Sequence, residues 1–223
     1  MCGRIVSYSS IEDIASAMDA IPDPIAKAAY QPSYNIPPSQ PLLIVCPVGD
    51  GEARQRRLLL ASWGLLPHWA KDMSLAFKTF NARAETVREK PSFRGAFKYR
   101  RCLIPVDGYY EWKRIGKTKQ PYYFSRTNGQ SLALAGLFEL WREERLTCTV
   151  MTTEANELAS EVHHRMPVVV EPENWQGWLD GHPDDANALL MPAPEDALSR
   201  YRVDMAVNSV KVDAPELIAP SSA

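Results

Sequence analysis

The chain has 223 residues, 45% of them hydrophobic, and a formal net charge of -2, which fits one soluble globular domain over residues 1–223 and argues against a generic nucleic-acid binder. No apolar run nears the roughly 20 residues that cross a bilayer, and no basic-then-apolar leader opens the chain, so no membrane association is expected and cytoplasmic residence is. The near-neutral total conceals an asymmetry. Residues 71–126 carry 14 Lys or Arg against 5 Asp or Glu, a balance of +9 that leaves -11 for the remainder; so concentrated a field suits a polyanion better than a merely solvated face.

In order, the chain opens on Met1-Cys2-Gly3-Arg4. Removal of methionine before a small side chain would leave Cys2 as a 1,2-aminothiol, with ordinary pKa values near 8 for the amine and 8.5 for the thiol. An aldehyde meeting that unit forms a Schiff base with the amine and then a five-membered thiazolidine with the sulfur, whereas an amide meets only a thiol nucleophile. The alternative is a small apolar residue packed in a strand. Cys2, Cys46, Cys102 and Cys148 are far apart and show no C-x-x-C spacing, so neither a zinc site nor a disulfide framework is indicated. Ser10, with Asp13 three positions on, caps a first helix that ends before Pro22. Residues 22–41 contain six prolines and are expected to form a surface loop. Residues 42–48 and 57–63 read as a hairpin about Gly49-Asp50-Gly51. The stretch from Trp63 to Phe80, rich in aromatic and basic residues without either period, reads as a functional loop in which Trp69 offers a ring to a nucleobase.

A short helix and a basic segment follow. Residues 101–106 and 109–113 are expected strands about Asp107-Gly108, residues 117–120 a polar hairpin tip, and residues 122–124 and 132–137 strands about Asn128-Gly129, a strong hairpin signal. Residues 146–153 add another strand. Residues 154–162, 175–179 and 184–190 read as helices and residues 201–207 as a last strand. Strands with short helices interspersed predict an α+β fold, a single domain on a curved, mainly antiparallel sheet or partly closed β-barrel flanked by short helices.

Three polar groups stand where strands and loops would ordinarily place something else. Glu111, set among Tyr109, Tyr110 and Trp112, is either a partly desolvated carboxyl suited to moving protons or an outward-facing residue. His163 and His164 precede Arg165-Met166-Pro167, and adjacent side chains point apart, so at most one ring is expected in a site. Asn81 and Arg83, two apart in an extended segment, share a face and pair an amide with a guanidinium able to grip a sugar-phosphate.

Met1-Cys2-Gly3-Arg4, Tyr34-Asn35-Ile36-Pro37-Pro38, Trp63-Gly64 with Pro67 and Trp69, Asn81-Ala82-Arg83-Ala84-Glu85-Thr86, Cys102-Leu103-Ile104-Pro105 through Gly108-Tyr109-Tyr110-Glu111-Trp112, His163-His164-Arg165-Met166-Pro167, and Asn208 with Pro215-Glu216-Leu217-Ile218 resemble, in this order and over nearly the whole chain, the SOS response-associated peptidase (SRAP) family of abasic-site processing proteins. The resemblance implies a monomer without metal or cofactor, acting in the cytoplasm at the nucleoid in the DNA-damage (SOS) response. Such a protein binds single-stranded DNA and joins its N-terminal cysteine to the ring-opened aldehyde of an abasic site as a thiazolidine. On that resemblance Cys2 is the nucleophile, Glu111 the proton shuttle, and His163 the residue that opens the deoxyribose and works the Schiff base, with His164 the other choice. Asn81 orients the sugar. Arg4, Arg83 and Arg165 hold flanking phosphates, Trp69 supports a neighbouring base, and Asn35 and Trp112 stand with the DNA contacts. Some relatives carry a second aromatic after this tryptophan; this chain has Ala70. Two other functions use the same residues: a thiol peptidase or autopeptidase built on Cys2, and a non-catalytic single-strand binder.

Overall fold

In the computed structural model, residues 2–221 are described; Met1, and with it the state of the Cys2 amine, lies outside them. The elements in chain order are β1 (Ile5–Ser7), α1 (Ile11–Met18), β2 (Ile21–Pro22), α2 (Pro24–Ala29), β3 (Ser33–Ile36), β4 (Pro41–Val48), β5 (Gln55–Trp63), β6 (Asn81–Arg83), α3 (Arg94–Tyr99), β7 (Arg101–Val106), β8 (Gly108–Ile115), β9 (Thr118–Arg126), β10 (Leu132–Trp141), β11 (Arg145–Glu154), α4 (Glu157–Ser160), β12 (Arg165–Pro167), α5 (Trp175–Asp180), α6 (Pro183–Ala188) and β13 (Leu198–Arg202). Strands dominate and helices are short, as an α+β chain with period-2 apolar runs should give.

The strands form two sheets. One has five strands in the order β13-β9-β8-β1-β3, and the other runs β12-β11-β10-β7-β4-β5-β2 with β6 joined to β11. A parallel contact between β11 and β5, Thr147 with Ser62 and Cys148 with Trp63, bends the larger sheet partly into a ring. Pairing is mainly antiparallel, with parallel exceptions at β2–β5, β6–β11 and β5–β11. Both faces of the larger sheet are covered, which is why β7 and β10 read as nearly unbroken apolar runs. Leu43, Val45, Leu103 and Met151 face the helices, with Phe97 and Trp178; Ile44, Cys102, Ile104 and Cys148 face the smaller sheet, with Tyr109 and Phe124. Each such side chain, fully withdrawn from water, contributes roughly 1.5–3 kcal/mol of apolar burial.

Local chemistry explains the departures from the sequence expectation. The proline-rich stretch is not one loop: the Asp23 carboxylate caps the Ile25 N–H at 2.9 Å and Pro24 occupies the first helical position, so α2 forms where proline costs no hydrogen bond. Beyond it β3 pairs with β1, Ile36 opposite Ile5. The β4–β5 hairpin forms as expected, Leu43 opposite Leu60. The Asn128-Gly129 turn, by contrast, does not close a hairpin. Gly129 takes a positive φ of 75°, but β9 pairs with β8 and β13 while β10 pairs with β7 and β11, so the turn carries the chain from one sheet to the other. Only Glu157–Ser160 of the expected 154–162 helix is helical, because β11 extends to Glu154 and Asn156 supplies the cap. The last strand lies earlier than residues 201–207, since the Asp204 carboxylate caps a 3-10 turn at Met205–Asn208.

Candidate active site

Cys2 precedes β1, whose antiparallel partner β8 sets Ile5 opposite Tyr109 and takes the Tyr110 N–H onto the Arg4 carbonyl at 3.0 Å. This pairing carries the N-terminal segment alongside Glu111. On the other side of β8, Gly108 lets β9 pack close, because a Cβ there would stand 2.4 Å from the Phe124 carbonyl oxygen and 2.5 Å from the Tyr123 ring. Cys2 is wholly buried within the cluster between the sheets, with Tyr109, Trp63 and Val150. Asn81, the first residue of β6, donates from Nδ2 to the Cys2 carbonyl at 2.6 Å and so fixes the Cys2 backbone. Parallel pairing of β6 with β11 sets Asn81 beside Val150 and Arg83 beside Thr152. The alternation leaves Ala82 buried and Arg83 exposed.

Glu111 points inward: only 5% of it is exposed, and its Oε1 accepts the Trp112 N–H at 3.2 Å. His163 lies in the turn between α4 and β12. Its Nδ1 lies 3.0 Å from the Arg165 N–H, which it accepts when unprotonated, and 3.3 Å from the Arg165 carbonyl, to which it donates when it carries a proton. Burial lowers the pKa of His163, the Glu111 carboxylate opposes that shift, and His164 adds to it. The imidazole is therefore held towards its neutral form beside a carboxylate. His164 stacks on it with centroids 4.3 Å apart but is exposed. Glu111 also acts on Cys2, whose thiol is pushed well above the ordinary range, first by burial and then by that carboxylate; the Arg4 N–H works in the opposite sense. One carboxylate thus reaches both the sulfur and the imidazole.

The residues around this centre divide sharply. Arg4 donates from Nη1 to Asn35 Oδ1 at 2.5 Å and to the Val207 carbonyl at 2.8 Å, and its guanidinium lies 5.9 Å from the Trp112 ring centroid. Asn35 is 3% exposed, its Nδ2 given to the Val212 and Ser209 carbonyls at 2.6 and 3.0 Å. Arg165 is buried in a two-pronged pair with Glu85, at 2.6 and 3.0 Å, and donates to the Thr152 carbonyl at 2.7 Å; the pair holds the Glu85 carboxyl below its usual range. The sequence reading set Asn35 and Arg165 among DNA contacts, whereas the structure occupies both internally, as braces of the C-terminal segment and of β6. Trp112 donates from Nε1 to Asn208 Oδ1 at 2.7 Å and remains half-buried. Trp69 is 48% exposed. Ala70 after it is buried against Leu66 and Trp141, and its carbonyl takes the Trp141 indole N–H at 3.0 Å; an aromatic there would have to leave that cluster.

Tyr109 escaped the sequence reading. Its hydroxyl is buried and has no hydrogen-bond partner among the described residues, its ring stacks on Phe124 at 4.9 Å, and the charges of Cys2 and Glu111 both bear on the phenol. The spacing to Glu111, two residues along one strand, was the available signal. No group of three or more His, Cys, Asp or Glu side chains among the described residues could hold a metal ion. No helix there is long and apolar enough to span a membrane.

Residues 1–210 match the model of the SOS response associated peptidase (SRAP) family. The chain belongs to this family. The abasic site processing protein YoqW of Bacillus subtilis is 42% identical over 98% of this chain and 99% of its own, and the abasic site processing protein HMCES of Gallus gallus is 32% identical over 89% of this chain and 69% of its own. A crystal structure of a Bacteroides thetaiotaomicron protein superposes with a TM-score of 0.88 over 99% of this chain and 100% of that one; at 24% identity the likeness speaks to the fold alone. A phage-related protein of Bordetella bronchiseptica, 31% identical, superposes with a TM-score of 0.69 over 91% and 94%. The SRAP fold therefore accounts for the two-sheet architecture, and the motifs that suggested it surround one buried centre.

Proposed function

We propose that this SRAP protein processes abasic sites in single-stranded DNA by covalent capture, with Cys2, freed of Met1, as the N-terminal residue. The observation that carries the reading is the convergence on Cys2: Asn81 on its carbonyl, and Glu111 close enough to act on both its sulfur and His163. The names of the relatives supply the substrate class. Capture proceeds in three balanced steps. His163, protonated through Glu111, donates that proton to the sugar ring oxygen as its C–O bond breaks, and the anomeric hydroxyl returns a proton to Glu111 as it becomes the aldehyde carbonyl. The Cys2 amine then adds to that carbonyl carbon; a C–N bond forms, and the oxygen leaves as water with a proton relayed by Glu111. The thiol next adds across the C=N bond, sulfur to carbon and its proton to nitrogen, closing a thiazolidine. Arg83 and Trp69, both accessible, would grip a flanking phosphate and a neighbouring base.

Burial also favours this reading over a thiol peptidase. A thiol pushed well above its ordinary range is a poor source of free thiolate, but an imine carbon already tethered beside the sulfur needs none, because the thiol proton passes to the imine nitrogen as the C–S bond forms. The test is a denaturing gel of abasic oligonucleotide mixed with wild type, Cys2→Ser and a form that retains Met1. Wild type should give an adduct that survives heat, Cys2→Ser only an imine visible after borohydride reduction, and the Met1 form no heat-stable adduct. Equal heat-stable adduct in all three would overturn the aminothiol reading.

A further inference from the structure

Past the site, β8 and β9 continue as a two-stranded ribbon. β8 is held by the N-terminal segment through Tyr110, whose N–H bonds the Arg4 carbonyl, and β9 meets β13 and Val203 through Pro121, whose carbonyl takes the Val203 N–H; beyond Trp112 and Pro121 the two strands pair only with each other among the described residues. Trp112 lies opposite Pro121, and Arg114 directly opposite Lys119, so these four share one face. Arg114 follows Trp112 by two residues, about 7 Å along the strand, and the internally bonded Arg4 guanidinium lies 5.9 Å from the Trp112 ring centroid. One indole and two cations, Arg114 and Lys119, therefore share the ribbon face. Lys113 and Lys117 flank them. None of Lys113, Arg114, Lys117 and Lys119 has an ion pair among the described residues, and Arg114, Lys117 and Lys119 are exposed.

Like charges directly opposite across a strand pair destabilise it, and neither turn residue, Gly116 or Lys117, offers compensation. A hairpin needs no such pair to close: a positive φ of 60° at Gly116 already supplies the tight turn. What the face resembles physically is a single-strand track, in which cations follow phosphates and an aromatic takes a base. We propose that the ribbon face of Trp112, Arg114 and Lys119 is a second DNA-contacting surface, which holds the strand flanking the lesion and adds affinity without taking part in the chemistry. The inference rests on the DNA reading above. Its rival is that the lysines only guard an exposed ribbon against edge-to-edge association.

Arg114→Gln/Lys119→Gln separates the two. Affinity for a fluorescent single strand is titrated with salt, using an intact strand and one bearing a tetrahydrofuran abasic analogue that cannot cross-link. Two lost phosphate contacts should make the log-log salt slope shallower by about 1.4, roughly 0.7 each, equally for both strands, and heat-stable adduct should be recovered by raising the concentration of aldehyde-bearing DNA. Arg114→Lys/Lys119→Arg should keep the wild-type slope, and Arg94→Gln/Lys98→Gln, the same charge change on α3 across the larger sheet, should leave it unaltered. An unchanged slope in the ribbon variant, an equal loss in the α3 control, or aggregation with the soluble fraction still at the wild-type slope would each overturn the proposal. Failure of wild type to bind either strand would instead sink the DNA reading beneath it.

Discussion

Arg165 and Arg83 flank the same strand, β11, and differ in what the protein has done with them. Arg165 is buried, with Glu85 and Thr152 taking its donors, whereas Arg83 is exposed on the neighbouring strand. Arg4 and Asn35 repeat the first pattern, and Trp69 and the ribbon tip the second. The difference is one of solvation: a guanidinium whose donors are satisfied by protein holds a shape, and one left in water keeps its charge available to a phosphate. On the proposed function, a locked half of the rim positions the chemistry and an open half meets the strand.

Glu111→Gln tests the centre that both halves serve and should have the largest effect. Removing a proton shuttle while keeping shape should slow adduct formation by on the order of 10² to 10⁴ and leave single-strand affinity intact; affinity that collapsed while residual chemistry stayed fast would make Glu111 structural. Alkali should discriminate next. Cys2, Cys46, Cys102 and Cys148 are all buried free thiols, and burial raises the pKa of each, that of Cys46 to about 12. A folded-state pKa above the unfolded one gives stability that is present below about pH 8.5 and lost as pH rises through the folded value. Denaturant titrations at pH 7.5 and 9.5 should therefore show a loss of up to about 1.4 kcal/mol per thiol at the higher pH, in the locked interior only.

The arginine pair gives the sharpest contrast. Arg165→Ala removes a buried side chain and strands the Thr152 carbonyl, for a cost of roughly 1–3 kcal/mol; at two to four degrees per kcal/mol for a chain of this size the melting temperature drops accordingly. Arg83→Ala should cost under about 0.5 kcal/mol and instead flatten the salt slope of single-strand binding by about 0.7. Equal destabilisation by the two would erase the distinction. Tyr109→Phe should have the smallest effect on folding. Because its buried hydroxyl has no hydrogen-bond partner among the described residues, stability should hold or rise by up to about 1 kcal/mol in thermal unfolding, and a larger loss would reveal a hydrogen bond that the folded state makes.

How much of this was legible beforehand follows the range of the interactions. Caps, tight turns and the β4–β5 hairpin were readable because neighbours within a few residues decide them: Ser10 with Asp13, and a glycine-flanked turn between two apolar runs. The motif order, and with it the family, was present in the sequence alone, as were Cys2, Glu111, His163 and Asn81 as candidates. Asn128-Gly129 shows where local signals end. A turn fixes where the chain reverses, but which strand edge is vacant is settled only when β13 has taken the edge of β9. Burial was equally out of reach. Period-2 alternation put Glu111 on one of two faces, and it is the pairing of β1 with β8, a hundred residues apart, that makes that face the inner one. The same long-range packing presses Arg165 against Glu85 and leaves Arg83 in water, because a side chain's solvation depends on the surfaces folded over it rather than on its neighbours in the chain.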